Sequence, residues 1–187
     1  MDIVLDLYKD IRTVFRLRDV AMLVGETDMQ RLSKKLNYYV KTGQIYNPRR
    51  GIYTKSEYKP EELACVLYTP CYISLDYVLQ KKGIIFQYSN QISIVSYLSR
   101  IIEIENRFYQ FSKLKNEILI NTAGVRQLPG FINMAEAERA FLDKLYLFPD
   151  FYFDNLNPIN KELVEKLLPL YQSKALINRV RKLFQHV

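Results

Sequence analysis

The sequence predicts an α+β protein: an N-terminal unit of helices closed by a β-hairpin, then a larger domain with a strand-rich middle and helices at its end. Three observations predict it. From the start of the chain to Gly43, apolar residues recur at steps of three and four, the helical period. From Ile84 to Ile120 they gather instead in short β-branched and aromatic runs separated by turn residues. After Asn133 the helical period returns.

The elements follow in order. Ile3, Val4, Leu7, Tyr8 and Ile11 mark a first amphipathic helix, and Phe15, Val20, Ala21, Leu23 and Val24 a second short one. Gly25-Glu26-Thr27 leaves room only for a tight turn before a third. That helix has Thr27 as its predicted N-cap with Gln30 three residues on, the capping-box spacing, and it closes at Gly43. Met29, Leu32, Leu36, Tyr39 and Val40 fall on one stripe, which faces a core. Arg31, Lys34, Tyr38 and Lys41 fall opposite, flanked by Gln30, Lys35 and Asn37, and no acid follows Asp28 in this helix. A solvated helix normally interleaves Glu with Lys, because each such pair adds a few tenths of a kcal/mol. A face that forgoes those pairs is suited to phosphate, where Lys and Arg release condensed counterions.

Gln44-Ile45-Tyr46 and Ile52-Tyr53-Thr54 can pair across Asn47-Pro48-Arg49-Arg50-Gly51, a loop with Pro early and Gly late. Two helices joined by a tight turn and followed by such a hairpin have helix-turn-helix spacing with a wing. Residues 1–57 therefore read as a winged helix-turn-helix unit that grips double-stranded DNA. Its contacts are expected from Gln30, Arg31, Lys34, Lys35, Asn37, Tyr38 and Lys41 on the helix and from Arg49 and Arg50 at the wing tip.

Charge supports that reading. The chain of 187 residues carries a formal net charge of +7, and residues 27–59 hold eight cations against two acids. The first 26 residues sum to −1 and the last 128 to +2, so the excess is confined to one predicted face. The 15 tyrosines invite a base-stacking idea, but most are expected in the core or on sheet faces. Tyr38 alone is expected at DNA.

Residues 58–187 form the second predicted domain, after a polar hinge from Lys55 to Pro60. Pro60 is placed as the first residue of a helix carrying Leu63, Ala64, Val66 and Leu67, and Ser74 as the cap of another that stops at Gly83. Ile84–Phe86, Ile92–Val95, Ile101–Ile104, Phe108–Phe111 and Ile118–Ile120 then predict an antiparallel meander of four or five strands. Asn133 with Glu136 opens a helix through Leu147, and two more cover Lys161–Leu168 and Lys174–Gln185.

The residues also bound the chemistry. Cys65 and Cys71 are the only cysteines and His186 the only histidine, so no zinc site is expected and the thiols read as small buried side chains. There is no phosphate-cradling Gly-x-x-x-x-Gly-Lys loop and no nucleophile elbow. No cofactor, metal or catalytic residue is expected. Pro149-Asp150 could open a metal-dependent nuclease signature, but no Glu-x-Lys triplet follows. Glu103 and Glu105 alternate on a strand and read as its solvent face. Arg139 and Asp143, at i, i+4, read as a surface ion pair. No apolar run spans a bilayer, and the N-terminus alternates acids with aliphatics, so no membrane association and a cytoplasmic location are expected.

One order of segments carries a resemblance. The hairpin ends in Arg50-Gly51-Ile52-Tyr53, a Pro-Glu-Glu-Leu-Ala helix follows, then Tyr72-Ile73-Ser74 leading to Leu79 and Gly83. After the strand-rich middle come Ala137-Glu138-Arg139-Ala140 and Leu142-Asp143. Over nearly its whole length the chain resembles the AbiEi family of antitoxins, the transcriptional-regulator halves of abortive-infection type IV toxin–antitoxin systems. The resemblance implies a repressor that binds inverted repeats in its own promoter through the N-terminal unit. It further implies a C-terminal domain that antagonises a co-encoded nucleotidyltransferase toxin without a stable complex. It assigns the DNA role to residues 27–42 with Arg49 and Arg50, and no chemical role to Glu138, Arg139 or Asp143. A winged-helix regulator whose second domain senses a small ligand is the alternative, and a DNA-processing nuclease the third.

Overall fold

The computed structural model describes residues 2–185; Met1, Val187 and the single histidine, His186, lie outside the described residues. Helices and two sheets alternate along the chain, an α+β protein as the patterning predicts. Helix α1 (Ile3–Lys9) is opened by the Asp2 carboxylate, which accepts from the Val4 and Leu5 amides. It buries Ile3 and Leu7 and leaves Tyr8 exposed; Ile11, expected in the same helix, lies beyond its end and is exposed.

The chain next forms a strand, β1 (Val14–Arg16), before α2 (Leu17–Val24). Phe15, expected in a helical stretch, belongs to this strand. Three residues are too few to set an alternating pattern, and β1 exists because β3 (Ile52–Thr54) offers it an edge: Val14, Phe15 and Arg16 pair with Thr54, Tyr53 and Ile52. On the other edge of β3 lies β2 (Tyr46–Arg49), giving an antiparallel sheet of order β1-β3-β2.

Helix α3 (Met29–Lys41) begins one residue later than predicted. Its cap is Asp28, not Thr27: Asp28 Oδ1 accepts from the Gln30 and Arg31 amides at 2.9 Å each. A carboxylate there satisfies two open donors and also opposes the positive end of the helix dipole, which a hydroxyl cannot do as well. At the other end Gly43 adopts φ +71°, the Gln44 amide bonds to the Tyr39 carbonyl and the Gly43 amide to that of Val40. This is the closure for which glycine was expected. Leu32 and Leu36 reach zero exposure against Ile3, Leu7, Phe15 and Val20, but Met29, expected in the same stripe, is exposed.

The second sheet departs from the predicted meander. Its strands are β4 (Cys71–Ile73), β5 (Ile92–Ser96), β6 (Arg100–Ile104), β7 (Arg107–Lys113), β8 (Val125–Leu128) and β9 (Ile132–Ala135), in the order β6-β7-β5-β4-β9-β8. It is mixed: β5 with β7 and β4 with β9 run parallel, the other neighbours antiparallel. The expected runs at Ile92, Ile101 and Phe108 are strands; those at Ile84 and Ile118 are not. Ile84 and Ile85 are buried in a loop, where the Ile84 carbonyl accepts from the Asp154 and Asn155 amides. Ile118 belongs to a single helical turn, α6 (Asn116–Leu119), whose carbonyl faces an arginine described below.

Helices cover both faces of this sheet. Cys71 Sγ meets the carbonyls of Ala64 and Cys65 on α4 (Pro60–Leu67), whereas Tyr72 reaches α7 (Ala137–Leu147), so alternate residues of β4 face opposite layers. Helix α4 starts at Pro60 as predicted. Helix α7 starts after Glu136, later than expected, because Asn133 is spent in β9. Ser74 does precede α5 (Leu75–Lys81), yet its hydroxyl leaves the helix end uncapped and bonds to Asp143 instead. Helices α8 (Lys161–Leu167) and α9 (Lys174–Phe184), joined by a 3-10 turn, close the domain.

The predicted surface pair of Arg139 and Asp143 is instead fully buried, with both side chains at 0% exposure. Asp143 accepts from Tyr171 Oη at 2.6 Å, Ser74 Oγ at 2.7 Å, Tyr72 Oη at 3.0 Å and Arg139 Nε at 3.4 Å. Arg139 donates onward to the carbonyls of Ile118 at 2.7 Å and Ala123 at 2.8 Å, and so holds the 118–123 segment in place. Burial pushes the Asp143 carboxyl up, and the guanidinium and three hydroxyls pull against it. Helical i, i+4 spacing brings the pair together on either face of α7; only the sheet beneath decided which.

The Lys55–Pro60 segment, expected to be a hinge, is bonded on its N-terminal side. Lys55 Nζ donates to the Asp10 carbonyl at 2.6 Å and the Lys59 amide to Thr13 Oγ1 at 3.1 Å. Beyond it Glu62, 1% exposed, accepts from the Thr13 and Val14 amides and the Thr13 hydroxyl, all at 2.7–3.0 Å. Val14 and Ile52 also belong to the larger of two apolar clusters, which otherwise draws on residues from Leu63 onward.

Candidate nucleic-acid interface

The apolar stripe of α3 turns its other side outward. Gln30, Arg31, Lys34, Asn37, Tyr38 and Lys41 are all exposed there, Tyr38 at 62%. These six predicted contact residues share one helix face because three- and four-residue steps return to the same side. Lys35, the seventh, is half-buried and leans toward Glu26, its Nζ 3.8 Å from the carboxylate. Among the described residues no carboxylate lies within 4.0 Å of Arg31, Lys34 or Lys41. The face is thus cationic and unpaired, with two amides and a phenol for hydrogen bonding.

The hairpin beside it is tighter than predicted. β2 runs on through Pro48 to Arg49, so the turn is only Arg50-Gly51, and Gly51 takes φ +78°, which a side chain would strain. This separates the two arginines expected at the tip. Arg50 is exposed at the turn. Arg49 folds back onto Tyr68, its guanidinium 5.7 Å from the ring centroid and its Nη2 3.4 Å from the hydroxyl.

Sequence reasoning missed several neighbours. Arg100, on edge strand β6, donates to the same Tyr68 hydroxyl at 2.9 Å. Burial favours the neutral phenol, but the hydrogen bonds from Arg100 and Arg49 outweigh it and hold Tyr68 below the ordinary tyrosine value. Arg16 donates to the Val66 carbonyl through Nε at 3.0 Å, and Arg18 is largely exposed. No local signal marked them, since acids elsewhere in the first 26 residues balance their charge.

The other candidate sites of the sequence fare differently. Glu103 and Glu105 do not share a strand face: Glu105 sits in the β6–β7 turn with φ +50° and accepts from Tyr58 Oη at 2.7 Å. Asp150 is an exposed turn residue, and among the described residues no group of three or more His, Cys, Asp or Glu is placed to hold a metal ion. Cys65 and Cys71 are buried free thiols, as expected. No helix among the described residues is long and apolar enough to cross a membrane. Comparison with known proteins finds no protein-family model that matches the chain and no curated protein that matches it.

Proposed function

We propose that residues 1–57 form a winged helix-turn-helix that binds duplex DNA, with α3 as the recognition helix and the Arg50-Gly51 turn as the wing. The observation that carries the reading is the unpaired cationic face of α3. Ion pairs within the helix would have stabilised it at no cost in fold. Their absence leaves Arg31, Lys34 and Lys41 free to meet phosphates, with Gln30, Asn37 and Tyr38 able to reach base edges.

In this reading the chain is a regulator, not an enzyme: a repressor of its own promoter and the antitoxin of a type IV pair, acting against a co-encoded nucleotidyltransferase. The antitoxin half rests on the resemblance to AbiEi antitoxins. Two segments of that resemblance, Tyr72-Ile73-Ser74 and Arg139 with Asp143, meet in one hydrogen-bonded group. This gives the spacing between them a physical reason, since together they set the core of the second domain.

The test is binding of the chain to duplex DNA from its own promoter. The Arg31→Ala/Lys34→Ala double variant is expected to bind about tenfold or more weakly, with the log–log salt dependence flattened by about 0.9 for each phosphate that is no longer neutralised. Parent-like binding at two salt concentrations would remove α3 from the interface. Supplied from a separate constitutive promoter, the same variant is expected to protect cells expressing the toxin as well as the parent does, because α3 takes no part in neutralisation. Loss of protection by this folded variant counts against the division of roles.

The wing makes a second expectation. Arg50→Ala should weaken binding to many sequences alike, as removal of a backbone or minor-groove contact does. Arg49→Ala should cost less, because Arg49 is engaged by Tyr68. Binding-site selection checks this: an altered base consensus in Arg50→Ala would mean that the wing reads sequence in the major groove.

A further inference from the structure

Between the small sheet and the large one lies an open cleft of about 570 Å³. Arg16 and Arg18 form one wall, the hairpin tip with Arg49 and Arg50 a second, and Tyr68 with Tyr97 the floor beyond. None of the lining residues is a carboxylate. Just outside the lining, Asp19 lies 3.9 Å from Arg18 Nε. At the edge of the large sheet Arg100 borders the cleft, lining an adjoining depression with Arg49 and Glu103, and it shares with Arg49 a single neutral acceptor, the Tyr68 hydroxyl.

The two guanidiniums that converge on the phenol, and Arg50 across the gap, have no carboxylate within 4.0 Å among the described residues, and Arg18, loosely paired with Asp19, adds further positive charge. Planar guanidinium groups match phosphate oxygens in bidentate geometry, so a phosphate-rich ligand is the natural counter-charge. The floor adds a different chemistry. Tyr97 is 45% exposed, and Tyr68 braces its ring edge-to-face with centroids 6.4 Å apart. An exposed, braced tyrosine beside arginines offers a stacking surface for a base.

We propose that this cleft binds a nucleotide, its phosphates held by Arg18, Arg49, Arg50 and Arg100 and its base laid on Tyr97. The nucleotide can come from solution or from a DNA strand running past the wing. Because the cleft includes Arg50 and, from α3, Met29 but none of its polar contact residues, a free nucleotide there would compete with DNA at the wing and leave the cationic face of the recognition helix open. The site stands apart from the assignment of α3.

The test is titration calorimetry of the full chain with ATP, without DNA or divalent metal, beside tripolyphosphate as a probe of charge alone. ATP is expected to bind once per chain and more tightly than tripolyphosphate. Arg18→Ala and Arg100→Ala should each weaken ATP about tenfold, the effect of removing one charge-assisted hydrogen bond. Tyr97→Ala should weaken ATP at least about fivefold and leave tripolyphosphate unchanged. All three side chains are exposed, so their thermal melts should match the parent. Arg31→Ala/Lys34→Ala should bind ATP normally, which separates failure of this site from failure of the α3 reading. If ATP does not bind, weakened promoter binding by both Arg100→Ala and Tyr97→Ala supports the site with the DNA strand as its source. ATP that binds but no more tightly than tripolyphosphate, or variants that change neither ATP nor DNA binding, overturns the proposal.

Discussion

Asp143→Ala is expected to lower the unfolding free energy by about 3–5 kcal/mol, the usual effect of removing one partner of a buried ion pair. Its carboxylate is the common acceptor for Tyr72, Ser74, Tyr171 and Arg139. Without it, a guanidinium at 0% exposure loses its counter-charge and three hydroxyls lose their acceptor. Solvent cannot replace it, because α7 presses the group against the sheet. A loss of that size is a large share of the roughly 5–15 kcal/mol that holds a domain folded. Urea denaturation followed by circular dichroism measures it. A loss below about 1 kcal/mol would mean that water reaches the group, since only exposed pairs are worth so little.

Glu62→Ala should come next, at about 3 kcal/mol, since hydrogen bonds to a charged acceptor contribute roughly 1.5–3 kcal/mol each and orphaned donors add to the loss. Glu62 holds the Thr13 and Val14 amides, the point at which β1 enters its sheet. The damage should therefore be local as well as global. Amide exchange at Val14 should accelerate more than at Leu36, in the centre of α3. Equal acceleration at both would show that Glu62 supports the fold without clasping the two units together. Gly130→Ala approaches the same clasp from the other side. Its backbone sits at φ +87°, and an added Cβ would lie 3.0 Å from Glu62 Oε2, so it should cost on the order of 1–3 kcal/mol. It should speed exchange at Val14 in the same pattern.

How much of this was legible depended on the range of the forces involved. Helix α3 was readable because its apolar stripe, its cap region and Gly43 lie within one short segment, and each acts on its own neighbourhood. Even there the cap moved from Thr27 to Asp28, a choice between two adjacent acceptors that depends on backbone geometry. Pro60 and the runs at Ile92, Ile101 and Phe108 were legible for the same local reason. The hairpin tip was half legible. A Pro-early, Gly-late loop implied a turn, but nothing local could say that Arg49 would fold back onto Tyr68, 19 residues away.

Strand order was beyond reach. β4 and β9 are interior strands of the large sheet, yet they have only three and four residues and pair with each other across some sixty positions. A strand so short exists through its neighbours, and its own sequence shows little. The strands at Ile84 and Ile118 failed conversely. Ile84, Ile85, Ile118 and Leu119 are indeed buried, although Phe86 and Ile120 are exposed, and the Ile84 and Ile118 carbonyls are taken by the Asp154 and Asn155 amides and by Arg139 in place of a ladder.

By itself the sequence determined the α+β class, the helical stripe that turns Gln30, Arg31, Lys34, Asn37, Tyr38 and Lys41 to one exposed face, and the closure of that helix at Gly43. Periodicity and capping are local, and six residues on one face need no partner to be there. Only the tertiary structure decided that Arg139 and Asp143 are the buried centre of the second domain, that Glu62 clasps β1, and that Arg16, Arg18, Arg49, Arg50 and Arg100 line or border one cleft. Those groupings join residues separated by up to 84 positions in the chain, and a side chain's burial and charge environment depend on what the rest of the fold brings against it.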